Sequence, residues 1–324
     1  MLYGAIDGLV NSVGDPYTVF LKPAASRNFI QEINGSFGGV GIEIGLKENI
    51  LTVIAPIKNT PAAKAGLLAG DKIVKINDKS TAGMKVEDAV NLIRGPRGTK
   101  VKLTYIRGTV KSGTEITLIR EEIKIPAIDL KIDGNTAYIQ FSIFNKNADA
   151  EFDKAAKEIT KSKADRIILD LRNNPGGLLD SAVNIAGYFL DANKIVTTEK
   201  FGDGKEQIYK TQPNGILKNY PLIILINEGS ASASEILSGA IKDNRGVTLV
   251  GKKSFGKGSV QEVRDLPEGA SLKITIAKWY TPKGISISAQ GITPDVQVEL
   301  TEDDFKHNKD PQLDKAKQLI QNLK

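Results

Sequence analysis

Three serines stand at alternate positions in "LINEGSASASEI", residues 225–236: Ser230, Ser232 and Ser234. Apolar β-formers from Leu222 to Ile226 precede them and an apolar-periodic segment comes after, so the stretch reads as a strand-to-helix turn. Such a turn offers two roles. Ser232 with Glu235 forms S-x-x-E, a capping box that satisfies the free amides of a helix start. The same geometry exposes a side chain and aims backbone N–H groups at whatever it attacks, as in a nucleophile elbow. The two roles are compatible, and the local residues do not choose among the three serines.

A serine nucleophile needs a base. The sequence has one histidine, His307, within the polar tail "TEDDFKHNKD", and no cysteine. That excludes a cysteine nucleophile, disulfides and thiolate metal sites, and leaves too few ligands for a histidine metal centre. The base is then Asp, Glu or a lysine held neutral by burial or by neighbouring positive potential. Lys257 in "SFGKGSVQ" is a candidate, because Gly256 and Gly258 let backbone pack closely around it. Its plain alternative is a solvated turn lysine. The segment "GKKSFGKG", 251–258, also matches G-x-x-x-x-G-K, but Gly258 stands where a Ser or Thr is needed. The adjoining "SVQEVRDL" reads as a strand rather than the helix that would hold phosphates. A third piece, "DLRNNPGG" (170–177), places Pro-Gly-Gly between a strand and a helix. It either only reverses the chain or supplies an amide to an oxyanion hole.

These residues need a scaffold, and 324 residues suffice for two or three domains with a sizeable core. Hydrophobic residues are 40% and charged residues 25%, as in ordinary globular chains. The net charge of +6 comes from scattered lysines, and aromatics are only 6%, which argues against nucleic acid as a partner. No run of 18 apolar residues is present, and the N-terminus lacks the pattern of a signal peptide. Residues 1–36 read as short helices broken at "GDPY". Residues 37–122 read as short strands and turns with one amphipathic helix, "KVEDAVNLIRG". From 123 to 324 buried strands alternate with helices, which argues for an α/β core with parallel pairings.

Taken together, these pieces resemble the carboxyl-terminal processing proteases, Ser-Lys serine peptidases that carry an inserted PDZ domain. The resemblance spans nearly the whole chain, with seven segments in family order. They are "GAIDGLVNSVGDPYTVFL", "GSFGGVGIEI", "NTPAAKAGLLAGDKIVKIN", "LDLRNNPGGLL", "NEGSASASEILSGAIKD", "SFGKGSVQ" and "YTPKGISISAQGITPDV". It implies an α/β protease core (a mixed sheet with helices), a β-rich PDZ domain over 37–122 and a short N-terminal helical segment. By the same resemblance Ser232 is the nucleophile, Lys257 its base, and Gln261 the third member, orienting the lysine amine through a hydrogen bond. Ala233 and Gly176, preferred over Gly177, supply the oxyanion amides, and Asp243 is structural support. In the PDZ domain, Gly39, Val40 and Gly41 are expected to bind a peptide carboxylate, with Ile42, Ile44 and Val90 shaping an apolar pocket. Arg94 is expected to couple peptide binding to the protease body.

The implied activity is a serine endopeptidase that selects substrates by free, apolar C-termini and needs no metal or cofactor. A homodimer, a membrane association through a segment outside this sequence, and an extracytoplasmic location complete the family picture. The alternative is a catalytically silent binder of peptides or hydrophobic ligands on the same fold.

Overall fold

The structure, a computed structural model, describes residues 2–323 apart from 48, 58, 109–111, 289, 302, 305, 306 and 308, and apart from the side chain at 87. The chain forms two compact units. One contains the residues up to Gly35 together with those from Pro126 onward, and the other is Ser36–Ile125. The N-terminal helices therefore belong to the larger unit and are not a body of their own.

The larger unit is built on a six-stranded sheet. From edge to edge its strands are Ile128–Asp133, Thr136–Phe141, Arg166–Asp170, Leu222–Ile226, Thr248–Gly251 and Val296–Gln297. Only the first pairing is antiparallel. The central strands are apolar at consecutive positions because both of their faces are covered. Side chains alternate between faces. Ile167, Leu169, Leu222, Ile224 and Ile226 pack with helices Ala148–Lys161, Leu179–Phe189 and Ala233–Arg245. Ile168, Ile223 and Leu225 pack instead with the C-terminal helix Pro311–Ile320 through Ala316 and Ile320. Phe152 adds edge-on aromatic contacts to Tyr188 and Phe189, with ring centres 5.1 and 5.7 Å away.

A second sheet in this unit centres on the long strand Ser271–Tyr280. It pairs with Val19–Leu21, with Ile195–Phe201 and with Ser259–Asp265, so residues near the N-terminus join strands some 250 positions later.

In the smaller unit, the strands Ile42–Lys47, Ile50–Pro56, Lys72–Ile76, Lys100–Ile106 and Thr114–Ile119 form an antiparallel sheet against the helix Val86–Ile93. The pair Ser36–Gly39 and Glu121–Lys124 brings the two ends of the unit together. The helix ends on a buried guanidinium. Arg120 donates to the carbonyls of Leu92, Ile93 and Lys100 at 2.9, 2.7 and 2.8 Å, satisfying acceptors that a helix terminus leaves open.

Arg172 fastens the C-terminal helix to the end of a central strand. Its guanidinium bonds Asp170 at 2.6 Å and Asp310, the N-cap of that helix, at 2.8 Å. Asp170 also accepts from Tyr138 Oη at 2.7 Å. Removing the cation leaves the buried Asp170 carboxylate uncompensated and the partly exposed Asp310 without its partner. Arg172→Met should therefore lower unfolding stability by roughly 3–5 kcal/mol, read as a shift of the urea midpoint at constant m-value.

Candidate active site

The turn after strand Leu222–Ile226 fixes the three serines in different environments. Ser230 Oγ donates to the Leu171 carbonyl at 2.8 Å and accepts the Asn227 N–H at 3.0 Å. Ser234 Oγ donates to the Asn174 carbonyl at 2.9 Å, and the Ala231 N–H reaches the same oxygen at 3.0 Å. Both outer serines are fully buried. They clamp the serine turn onto "LRNNPGG", and Asn227 strengthens the join by accepting the Asn173 N–H at 2.8 Å. Ser232 alone of the three lines a cavity of about 460 Å³. Its backbone, φ 53° and ψ −114°, lies where a residue with a side chain sits at a cost of roughly 1–3 kcal/mol. The clamps hold that conformation, and Gly176 makes room for it. A Cβ on Gly176 would stand 2.8 Å from Ser232 Cβ and 2.9 Å from Ala233 N.

Glu235 does more than close a capping box. Its Oε2 accepts the N–H of Ser232 at 2.9 Å and of Lys257 at 3.0 Å. Its Oε1 accepts from Ser254 Oγ at 2.6 Å and from Gly256 N at 2.7 Å. This fully buried carboxylate ties the helix start to the loop of "SFGKG". Burial pushes its pKa up while the four donors oppose that push.

Lys257 and Gln261 line the same cavity as Ser232. Burial holds the Lys257 amine below the ordinary lysine value, and the Glu235 carboxylate partly offsets it. Its Nζ lies 5.7 Å from the centre of the Tyr17 ring. The Gln261 amide nitrogen donates to the Tyr17 carbonyl, so Oε1 is the atom left to accept. The expected Gln261–Lys257 hydrogen bond is not made among the described residues, and none joins Ser232 to Lys257. Gln261 is engaged by Tyr17 instead. Catalytic hydrogen bonds are often long without substrate, so shared placement in one cavity is the informative observation.

Among the described residues, the Ala233 N–H donates to no acceptor. The Gly176 N–H is engaged by Asn174 Oδ1 at 2.9 Å, whereas the Gly177 N–H donates to none. The choice of Gly176 thus meets a competing acceptor in this conformation, and Gly177, which lines the same cavity, carries the open amide. Asp243 accepts the Lys283 N–H at 3.0 Å, bracing the end of the serine helix against the turn after Tyr280. His307 is exposed beside Asp303 and does not line the cavity.

In the smaller unit, Val40, Gly41, Ile42, Ile44, Val90 and Arg94 line a groove of about 200 Å³. Gly39 lies beside it, close enough to Phe37 that a Cβ would fall 2.8 Å from that ring. Arg94 stacks over Phe37 with its guanidinium carbon 4.2 Å from the ring centre. The residues that sequence reasoning missed are Tyr17 and Asn174, which hold site groups through bonds from distant positions. Glu235 was visible only as a capping partner.

Comparison with known proteins identifies the family. Residues 135–298 match the model of peptidase family S41, and residues 52–107 match that of the PDZ domain. A carboxy-terminal-processing protease of Bartonella bacilliformis is 39% identical over 303 residues, covering 92% of this chain and 70% of that protein. The carboxy-terminal processing protease CtpA of Bacillus subtilis is 36% identical over 298 residues, covering 92% and 64%. A probable CtpA-like serine protease of Staphylococcus saprophyticus is 38% identical, covering 91% and 60%, so this chain spans roughly two thirds of the length of such relatives. The solved photosystem II D1 C-terminal processing protease superposes with a TM-score of 0.58 at 31% identity, over 92% of this chain and 81% of that one. From its family match, its relatives and its fold, the chain belongs to peptidase family S41, a serine-type peptidase with a PDZ domain.

Proposed function

We propose that the chain is an endopeptidase in which Ser232 attacks the scissile carbonyl and Lys257 is the general base, while the PDZ unit selects substrates by their C-termini. One observation carries the catalytic part: a serine held at φ 53° on a strand-to-helix turn shares a cavity with a half-buried lysine that makes no ion pair among the described residues. The neutral Lys257 amine takes the Ser232 proton as Oγ bonds to the carbonyl carbon. The resulting oxyanion is met by the Ala233 N–H and by Gly177, or by Gly176 once Asn174 releases it. Protonated Lys257 then gives its proton to the leaving amine, the C–N bond breaks, and an acyl-serine remains. Water attacks that ester with Lys257 again as base, returning Ser232 and the new carboxylic acid. Gln261, anchored by Tyr17, presents Oε1 as the acceptor that orients the lysine amine.

The PDZ reading rests on the groove around Ile42, Ile44 and Val90, with the backbone of Gly39–Gly41 at one end. A peptide laid along strand Ile42–Lys47 would add a strand, its last side chain in the groove and its carboxylate on the glycine amides. Substrates are then proteins or peptides with free apolar C-termini. By the same resemblance the enzyme works outside the cytoplasm.

Three outcomes test this reading. Ser232→Ala and Lys257→Met should each reduce cleavage of an unfolded protein by about 10⁴-fold or more, with circular dichroism unchanged. Retained turnover in both would show that this cavity is not the catalytic one. The pH profile of kcat/KM should rise with pH through a single ionisation below the ordinary lysine value, because only the neutral amine accepts a proton. For the PDZ unit, amidating the C-terminus of an apolar peptide should weaken its binding roughly tenfold, the loss of a charge-assisted set of hydrogen bonds. Val90→Lys should do the same, read by fluorescence titration.

A further inference from the structure

A buried carboxyl in the cavity has no part in the chemistry assigned to Ser232 and Lys257. Glu199 is 4% exposed and lines the same cavity as those two residues. It lies on strand Ile195–Phe201, opposite Trp279 of Ser271–Tyr280 and opposite Gln207 of the edge strand Glu206–Lys210. Tyr209 stands opposite Thr197, two positions before Glu199, so alternation puts both side chains on one face of the sheet. The Tyr209 ring meets that of Trp279 edge-on at 5.9 Å, and its hydroxyl donates to Glu199 Oε2 at 2.9 Å.

A carboxylate can accept about four hydrogen bonds, and a buried one ordinarily meets several donors or a cation. Glu235 in the same unit follows that rule with four donors. Glu199 has the Tyr209 hydroxyl as its one partner among the described residues. Burial pushes its pKa up, and that hydrogen bond opposes the push. The charges nearby leave this end of the cavity negative. Asp180, exposed in the first turn of helix Leu179–Phe189, acts on the Tyr209 hydroxyl together with Glu199. Lys257 is acted on by Glu235, and Lys273 by Lys257, while neither lysine reaches Glu199. Leu179, Ile236, Val260 and Trp279 give the cavity an apolar wall.

We propose that Glu199 is a specificity-determining residue, receiving the cationic end of a lysine or arginine on the substrate residue whose carbonyl Ser232 attacks. The proposal rests on Ser232 being the nucleophile. With its carbonyl on the amides of Ala233 and Gly177, which line the cavity, that residue sends its side chain into the same space. A long basic side chain suits the wall, because its methylene stem packs on Trp279 and Ile236 while its head meets the carboxylate. Taking the cation out of water is costly, and a carboxylate already fixed by Tyr209 offsets that cost without reorganising. A pocket built around a polar group also discriminates strongly, since a ligand lacking the complement leaves that group unpaired.

The test uses the full chain and peptides that share one apolar C-terminus. They differ only at the residue before the bond cut, which is lysine, arginine, norleucine or glutamate. Norleucine keeps the stem of lysine and lacks its charge. The wild type should cleave the lysine and arginine peptides with kcat/KM about tenfold or more above the norleucine peptide, and the glutamate peptide least. Glu199→Gln keeps the volume and removes the charge, so the lysine-to-norleucine ratio should fall about tenfold. Asp180→Asn, at the exposed position, should lower that ratio only about twofold. Thermal melting checks that Glu199→Gln is folded. An unchanged ratio in the folded variant overturns the proposal, and so does a parallel fall for both peptides, which marks a purely structural role. Should the variant not fold, the wild type decides alone, because equal cleavage of lysine and norleucine peptides also overturns it. Undiminished cleavage by Ser232→Ala would overturn the underlying reading instead, a separate result.

Discussion

The buried carboxylate of Glu235 joins the two segments to which the chemistry is assigned in our proposal. Ser232 belongs to a helix start and Lys257 to a loop 25 residues further on, and each donates a backbone N–H to the same Oε2. A charge with no exposed surface is tolerable only when its acceptor capacity is filled, and here four donors fill it. The result is a fixed spacing between the backbones of Ser232 and Lys257 that neither segment could set alone. The strained conformation at Ser232 persists because the structure around it is over-determined: Glu235 on one side, and the clamps from Ser230 and Ser234 on the other.

Chemical identity at the site was more legible in the residue string than its geometry. Absence of cysteine and a lone tail histidine narrowed the base to a lysine or carboxylate, and the turn chemistry around "SASAS" and "NPGG" marked where backbone amides would be presented. The elements carrying them were also legible, because strands covered on both faces are apolar at every position and helices repeat at 3.6. What could not be read was anything that depends on chain segments far apart. Tyr17 belongs to a motif that reads only as a helix stop, yet its carbonyl holds Gln261, 244 positions away. The Gly176 amide looks available in "NNPGG", but the adjacent Asn174 side chain bends back to accept it. This local exception is an Asx turn, which an Asn two residues before the amide permits but does not require.

The smaller unit shows the same division. Its glycine-rich entry, helix and apolar groove are legible in local pattern, and six of the seven residues expected at the peptide site line one groove. Arg120, which bonds two carbonyls at the end of the groove-lining helix and that of Lys100 on the next strand, reads in sequence as an ordinary strand-end cation. Buried cations of this kind are recognisable only when the acceptors are seen, because the residue type is usually at the surface.

The strand pairing that joins Val19–Leu21 to Ser271–Lys273 sets an order on how the molecule comes into being. The smaller unit is one continuous stretch, residues 36–125, whose end strands pair with each other, so its own sheet needs no later residue. The larger unit must hold its N-terminal strand in reserve until some 250 further residues have been made. Its cavity wall, which includes Lys257 and the Gln261 that Tyr17 holds, closes only with the arrival of the final third of the chain. A truncated or stalled product therefore has a complete smaller unit and no assembled cavity around Ser232.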